Sequence, residues 1–128
     1  MAYILVIDDN PANLKLVCDI LECEGYDVGR AVDAEEALIK VKASDFDLVL
    51  TDVGLPGMDG LAMTKLLKAD AATSHVPVVA LTAYAMKGDD QKALAAGCDG
   101  YISKPIDTRK LVQQVKSYLA NGNRGRRR

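Results

Sequence analysis

Apolar runs that alternate with segments of helical periodicity are the feature that most limits how this chain can fold. Three of the runs, at residues 4–7, 48–51 and 78–81, are continuous, which is typical of strands covered on both faces. Between the runs, apolar residues recur every three or four positions, as they do along an amphipathic helix. The alternation predicts an α/β fold: a doubly wound, five-stranded parallel sheet in the order 2-1-3-4-5 with five helices.

Punctuating residues mark the ends of these elements. Pro11 follows the first run, where proline is suited to the first turn of a helix. Gly25, Gly97 and Gly122 each follow a helical pattern, where a left-handed residue often ends a helix. The predicted strands are residues 4–7, 27–31, 48–51, 76–82 and 100–102, and the predicted helices are residues 13–24, 33–43, 61–69, 89–96 and 108–120.

Length and composition predict one domain over residues 1–120. The chain has 128 residues, 49% of them hydrophobic, which is enough for a core. Residues 121–128 carry four arginines and no acid, and we expect a basic, disordered tail there. A solvated end is favoured over an arm that binds nucleic acid or anionic lipid, since the tail has no aromatic residue to stack on bases. No apolar run approaches the roughly 18 residues of a membrane span and no signal peptide is evident, so the expected location is the cytoplasm.

Cysteine and histidine usage argues against several kinds of site. Cys18, Cys23 and Cys98 are odd in number and lack the spacing of metal ligands, so we expect reduced, mostly buried thiols. His75 is the single histidine, which leaves almost no room for histidine-based metal or triad chemistry.

Polar residues stand at the ends of four apolar runs. Asp8 and Asp9 close the first run, Asp52 the third and Thr82 the fourth, and Lys104 follows the fifth. Because parallel strands bring their carboxyl ends to one edge of the sheet, we expect these residues to share one pocket near the switch point between strands 1 and 3. Each aspartate alone is as readily explained by a turn or a helix cap, but their joint placement is not.

The pocket so predicted suits a divalent cation and a phosphoryl group. Three carboxylates repel one another, and Mg²⁺, or Mn²⁺ in its place, relieves that repulsion when bound by Asp9, Asp52 and a backbone carbonyl. A carboxylate such as Asp52 can also act as a nucleophile and form an acyl phosphate. Lys104 and Thr82 can then stabilise the charge on the phosphoryl oxygens.

Four ordered blocks of this sequence resemble the signature of the receiver domains of bacterial two-component response regulators. The resemblance extends from residue 3 to about residue 120, and residues 75–89 are similar more narrowly to the single-domain, DivK-type regulators. The blocks are Val6–Asn10, Thr51–Gly60, Leu81–Ala83 and Ser103–Pro105.

The resemblance implies a CheY-like fold in which Asp52 accepts phosphate from a histidine kinase or a histidine phosphotransfer protein. It implies that Asp8 and Asp9 bind Mg²⁺ together with the main-chain carbonyl of Gly54. Thr82 and Lys104 are then expected to contact the phosphoryl group. Many relatives carry a larger residue at the position of Gly54, and the absence of a side chain there is expected to open the phosphoryl site.

The resemblance also implies a signalling switch. Tyr101 matches the aromatic position that turns inward with Thr82 on activation, so the surface from Ala83 to Tyr101 is expected to change and to bind a downstream protein. We therefore expect a phosphorelay switch, without a DNA-binding domain, and no enzyme beyond assistance to its own phosphorylation and dephosphorylation.

Three alternatives stay open on the residues alone. A Mg²⁺-dependent phosphohydrolase could act on free substrates through an aspartyl-phosphate, although it needs a second acid near Asp52 and position 54 is glycine. A nucleotide or flavin binder could use the same fold, but no glycine-rich loop follows the first strand, where Asp8 and Asp9 repel an anion. A scaffold without phosphorylation is the third.

Overall fold

Five strands and four helices are present in the part of the chain that the computed structural model describes, which is residues 2–55, 57–82, 94–103 and 106–126. The element bounds are β1 (Tyr3–Ile7), α1 (Pro11–Cys23), β2 (Asp27–Ala31), α2 (Ala34–Ala43), β3 (Leu48–Asp52), α3 (Gly60–Ala69), β4 (Val78–Thr82), β5 (Gly100–Ser103) and α4 (Thr108–Arg126).

All five strands form one parallel sheet in the order β2-β1-β3-β4-β5, which confirms the predicted topology. The register sets the ends of the strands side by side. Ile7 of β1 lies opposite Thr51 of β3, and Asp52 lies opposite Leu81 of β4. The residues that follow β1 and β3 therefore meet at one edge of the sheet.

Two hydrophobic cores cover the two faces of the sheet, which is why its central strands are continuous apolar runs. Along β1, Leu5 and Ile7 pack toward α2 and α3, whereas Ile4 and Val6 pack toward α1 and α4, and all four are fully buried. On the α2 and α3 side the helices contribute Ala34, Ala37, Val41, Met63 and Leu67; on the other side they contribute Leu14, Val17, Cys18, Leu21, Leu111, Val115 and Leu119.

Side-chain caps fix where the helices begin. Asn10 accepts hydrogen bonds from the amides of Ala12 (2.9 Å) and Asn13 (3.2 Å), and Pro11 is the first residue of α1, as predicted. Asp59 caps α3 by accepting a hydrogen bond from the amide of Ala62 at 2.7 Å.

The buried stripe of α1 differs from the predicted one at Leu16. The periodicity of the sequence predicts one apolar face made of Leu14, Leu16, Val17, Ile20 and Leu21, but 45% of the surface of Leu16 is exposed. The buried residues are Leu14, Val17, Cys18 and Leu21, which follow the i, i+3, i+4, i+7 spacing of one helical face, so Leu16 falls on the other side. Ile20, which was also predicted there, is half-buried.

The three cysteines are free, as predicted. Cys18 and Cys98 are buried, and burial raises the pKa of both thiols. Cys23 is exposed at the end of α1, so the expected burial holds for two of the three.

The predicted helix over residues 89–96 lies largely outside the described residues. Leu94 and Ala95 are helical, and Gly97 follows with a φ of 105°, the left-handed conformation that the sequence predicted. Gly25 likewise ends α1 with a φ of 91°.

The last helix is longer than predicted. We expected it to end at Ala120 before Gly122, but α4 continues through Gly122 to Arg126. The helical backbone over residues 121–126 thus differs from the disordered tail that composition suggested, whereas residues 127 and 128 lie outside the described residues. A glycine inside a helix costs about 1 kcal/mol, and a helix already formed by buried residues can propagate through it.

Gly100 is the point at which α4 packs directly on β5. A Cβ at this position would meet the ring and hydroxyl of Tyr118, whose side chain hydrogen-bonds the backbone of Tyr101. Burial raises the pKa of Tyr118 above its ordinary value, and the hydrogen bond with the backbone of Tyr101 opposes that shift. The absence of a side chain at Gly100 lets α4 approach the sheet this closely.

Replacement of Gly100 by alanine should therefore destabilise the fold by about 1–3 kcal/mol, because Tyr118 must move from its place on β5. Gly54→Ala is the matched control, since a Cβ there has no atom within 4 Å. Urea unfolding followed by circular dichroism measures both. Equal stability of the two variants would contradict the close packing at Gly100.

Candidate metal centre

Asp8 follows β1 and is held by one backbone and one side-chain hydrogen bond. Its amide donates to the carbonyl of Ala31 on β2 at 3.1 Å, and its carboxylate accepts from the amide of Asn10 at 2.9 Å. Only 1% of its surface is exposed. Asp9, the next residue, is exposed, so the two acids present a buried and an open carboxylate side by side.

Asp52 is the last residue of β3 and is half-buried. Its carboxylate accepts a hydrogen bond from the amide of Gly54 at 3.3 Å, which orients one oxygen along the turn after the strand. The hydroxyl of Thr51 donates to the backbone carbonyl of Asp52 at 3.0 Å. Asp52 is therefore fixed at both its side chain and its backbone.

Gly60, the first residue of α3, packs against the same carbonyl. A Cβ on Gly60 would collide with the carbonyl oxygen of Asp52 and would lie 3.0 Å from the Thr51 hydroxyl oxygen. Within α3, the Thr64 hydroxyl donates to the Gly60 carbonyl at 2.7 Å. Gly60 and Thr51 thus support the backbone of Asp52, although the sequence alone assigned neither a role. The available signal was a glycine directly after the capping residue Asp59.

Three carboxylates converge at this edge as predicted. One oxygen each from Asp8, Asp9 and Asp52 lies within 4.8 Å of the others. At such a separation each pair of charges repels by on the order of 1 kcal/mol in water, and by several times more at the effective dielectric of a protein surface. An all-oxygen donor set of this size fits Mg²⁺ or Mn²⁺, because a hard cation both binds carboxylates and removes their repulsion.

The centre is open on the side of Gly54. This residue is exposed, and a side chain added there would find open space. Asp8 is buried, Asp52 is half-buried and Asp9 is exposed. Asp52 and Asp9 are therefore the two carboxylates that solvent and ligands can reach. Gly54 contacts Asp52 through its backbone amide. The role of the Gly54 carbonyl as a metal ligand stays a prediction.

The structure describes the other predicted site residues, Thr82, Lys104 and Tyr101, only in part. Thr82 ends β4, and its backbone lies opposite Ser103 of β5 at the same edge as Asp52. Lys104 lies outside the described residues, as do residues 83–93 of the predicted partner surface. Tyr101 is half-buried and packs on the core between the sheet and α2 and α3.

The family comparison agrees with this architecture. The response regulator receiver domain family matches residues 4–116, and the chain belongs to that family. It is a DivK-like receiver domain, a two-component signalling module with a fold suited to phosphoryl acceptance.

Particular relatives cover nearly the whole chain. The polar-differentiation response regulator DivK of Brucella ovis is 42% identical over 118 residues, which are 92% of this chain and 96% of that protein. The chemotaxis response regulator CheY4 of Vibrio cholerae superposes with a TM-score of 0.88 at 29% identity, covering 92% of this chain and 98% of that one.

A third relative carries a metal. The receiver domain of the sensor histidine kinase PA1611 from Pseudomonas aeruginosa PAO1 has a TM-score of 0.87 at 31% identity, over 93% of this chain and 98% of that one. That domain was solved with magnesium coordinated in its active-site cleft.

No helix within the described ranges has the length and apolar character needed to cross a membrane.

If the three carboxylates bind a divalent cation, Asp9→Asn should weaken Mn²⁺ binding at least about tenfold, on the order of 1.4 kcal/mol, because one charged ligand is lost. Electron paramagnetic resonance of free Mn²⁺ measures the affinity directly, and the chain has no tryptophan to report it by fluorescence. Asp19→Asn is the control, since Asp19 is an exposed acid that pairs with Lys15 on α1. An equal loss in both variants would point to general electrostatics instead of a site.

Proposed function

We propose that this chain is a phosphorelay switch in which Asp52 accepts a phosphoryl group from a histidine kinase or a histidine phosphotransfer protein. The observation that carries the proposal is the convergence of Asp8, Asp9 and Asp52 at the sheet edge, with Asp52 supported from its backbone side and open toward Gly54. The membership of the receiver domain family supports the same function.

In this reaction a carboxylate oxygen of Asp52 attacks the phosphorus of a phosphohistidine. The new O–P bond forms as the P–N bond breaks, and the histidine nitrogen leaves with the bonding pair and takes up a proton. The hydrogen bond from the amide of Gly54 helps to orient the carboxylate of Asp52 for this attack. Thr82 and Lys104 stabilise the phosphoryl oxygens.

The cation is held by Asp9 and Asp52, together with the carbonyl of Gly54, and Asp8 adds its charge from the buried side. Bound Mg²⁺, or Mn²⁺, would supply positive charge to the phosphoryl oxygens. Hydrolysis of the acyl phosphate at the same site returns the switch to its starting state, so that the chain assists its own phosphorylation and dephosphorylation and no other reaction.

The signal leaves through a surface that spans residues 83–101 and binds a downstream protein in the cytoplasm. The phosphoryl group draws Thr82 inward, and Tyr101 moves into the space so vacated. Tyr101 is suited to such a change, because its ring is only half-buried while its backbone is held by the hydroxyl of Tyr118. The ring of Tyr101 can thus move between an outward and an inward position while β5 stays folded.

Incubation with acetyl phosphate and Mg²⁺ should add one phosphoryl group to the wild-type chain and none to Asp52→Asn, as measured by intact mass. If a chelator removes Mg²⁺ before the donor is added, the wild-type chain should remain unlabelled. Labelling of Asp52→Asn to the same extent would sink the assignment of the acceptor.

A phosphohydrolase is separated from a switch by turnover. With small phosphomonoesters in excess, a switch that takes its phosphoryl group from a phosphohistidine should release no phosphate above the background of Asp52→Asn. Repeated turnover lost in Asp52→Asn would replace the proposed function with that of a hydrolase acting through an aspartyl-phosphate.

Gly60→Ala should slow labelling of Asp52 by about tenfold or more, because the added methyl displaces the Asp52 backbone from its position beside α3, and small displacements of a reacting group reduce rates steeply. Leu66→Ala is the matched control on the same helix, since 49% of Leu66 is exposed. Initial rates with acetyl phosphate give the comparison. Wild-type rates in a stably folded Gly60→Ala would show that the close approach does not position the acceptor.

A further inference from the structure

Two large apolar side chains on the outside of α2 and α3 take no part in the core or in the proposed phosphorelay chemistry. Ile39 on α2 is 71% exposed, and Leu66 on α3 is 49% exposed. Single exposed apolar residues are common on monomeric proteins, whereas adjoining ones mark interaction surfaces. The meaning of Ile39 and Leu66 therefore depends on whether they lie side by side.

The contact between α2 and α3 shows that they do. At the end of α2, the Lys42 ammonium lies 3.9 Å from a carboxylate oxygen of Asp70, which directly follows α3. Both helices run back along parallel strands, so they point in the same direction. Ile39 lies one turn before Lys42 on the same side of α2. Leu66 lies one turn before Asp70 on the same side of α3, so Ile39 and Leu66 are neighbours on the surface.

Charges of opposite sign flank this apolar pair. Glu35 lies one turn before Ile39 and Lys42 one turn after it, and both are exposed. Glu36 pairs with Lys40, but Glu35 has no ion pair among the residues that the structure describes. We call the following five residues the α2–α3 patch: Glu35, Ile39, Lys42, Leu66 and Asp70.

Helix stability explains the charges of the patch but not its apolar centre. An acid in the first turn and a lysine in the last turn interact favourably with the helix dipole, which accounts for Glu35 and Lys42. Ile39 is different, because a β-branched side chain loses freedom in a helix and an exposed position is served better by alanine, glutamate or lysine. Its outward position between two charges indicates that another surface covers it.

A second copy of the chain matches the patch in charge. When two α2 helices pack antiparallel about a two-fold axis at Ile39, residues at similar distances before and after the axis face each other. Glu35 of each copy then faces Lys42 of the other, and the two Ile39 side chains meet. The helix dipoles also attract in this arrangement, whereas a parallel pair would bring like charges together.

We propose that the α2–α3 patch is an interface between two copies of this chain, packed antiparallel through α2. Two ten-residue helices are each about 15 Å long, and with axes about 10 Å apart they present a face of roughly 300 Å². A stable complex buries about 800 Å² on each partner. The dimer is therefore transient, with a dissociation constant of about 10 µM to 1 mM.

Sedimentation equilibrium of the full chain, from about 10 µM to 1 mM, measures this association. The average mass should rise with concentration from that of one chain toward twice that value. Ile39→Glu should weaken association by about tenfold or more, because two carboxylates then meet at the axis. Leu16→Glu is the matched control, since Leu16 is 45% exposed on α1 outside the patch, and its dissociation constant should stay close to that of the wild type.

Two charge reversals test the antiparallel geometry. Glu35→Lys alone and Lys42→Glu alone should each weaken association by about fivefold or more, because like charges then face each other across the interface. An equimolar mixture of the two variants should restore association to near the wild-type level, because the new lysine of one chain faces the new glutamate of the other. Circular dichroism checks that every variant keeps its helix content.

Three results would each overturn the proposal. They are the mass of a single chain at every concentration, equal weakening by Ile39→Glu and Leu16→Glu, and a mixture of the two charge reversals that associates no more tightly than either variant alone.

Discussion

The register between β1 and β3 is the constraint on which the rest of this structure depends. Ile7 lies opposite Thr51, so the acids that follow each strand leave the sheet at the same level. Both strands are apolar on both faces, and alternation of polar and apolar residues therefore gives no information about register. The metal centre depends on this register: a shift by one residue would move Asp8 and Asp52 apart by about 3.3 Å along the strands. The alignment of β1 and β3 thus decides whether the carboxylates of the candidate metal centre meet.

Sequence predicted the fold and the three carboxylates because both depend on patterns that are local. Continuous apolar runs identified the buried strands, and strand ends identified Asp8, Asp9 and Asp52. The supporting residues were not predicted, since their roles arise from contacts between distant segments. Gly60 matters only because α3 returns to the Asp52 carbonyl, and Gly100 only because Tyr118 crosses it. The sequence alone does not show which distant residues pack against a glycine.

Element ends were the weaker part of the prediction. Gly25 and Gly97 do end helical patterns with positive φ, but Gly122 does not, because the same residue is tolerated inside a helix that buried residues upstream already stabilise. On α1, the apolar residue Leu16 was predicted to lie on the buried face, but it is exposed. Periodicity alone therefore did not define which apolar residues of the helix are buried. The roles of Thr82, Lys104 and the partner surface rest on the resemblance to receiver domains.

The most direct test of the account is a crystal structure grown with Mn²⁺ and analysed by anomalous difference density. The account predicts one strong peak within coordination distance of carboxylate oxygens of Asp9 and Asp52, beside the backbone of Gly54. A peak elsewhere on the chain, or no peak at saturating Mn²⁺, would contradict the convergence of the three acids into a metal-binding site.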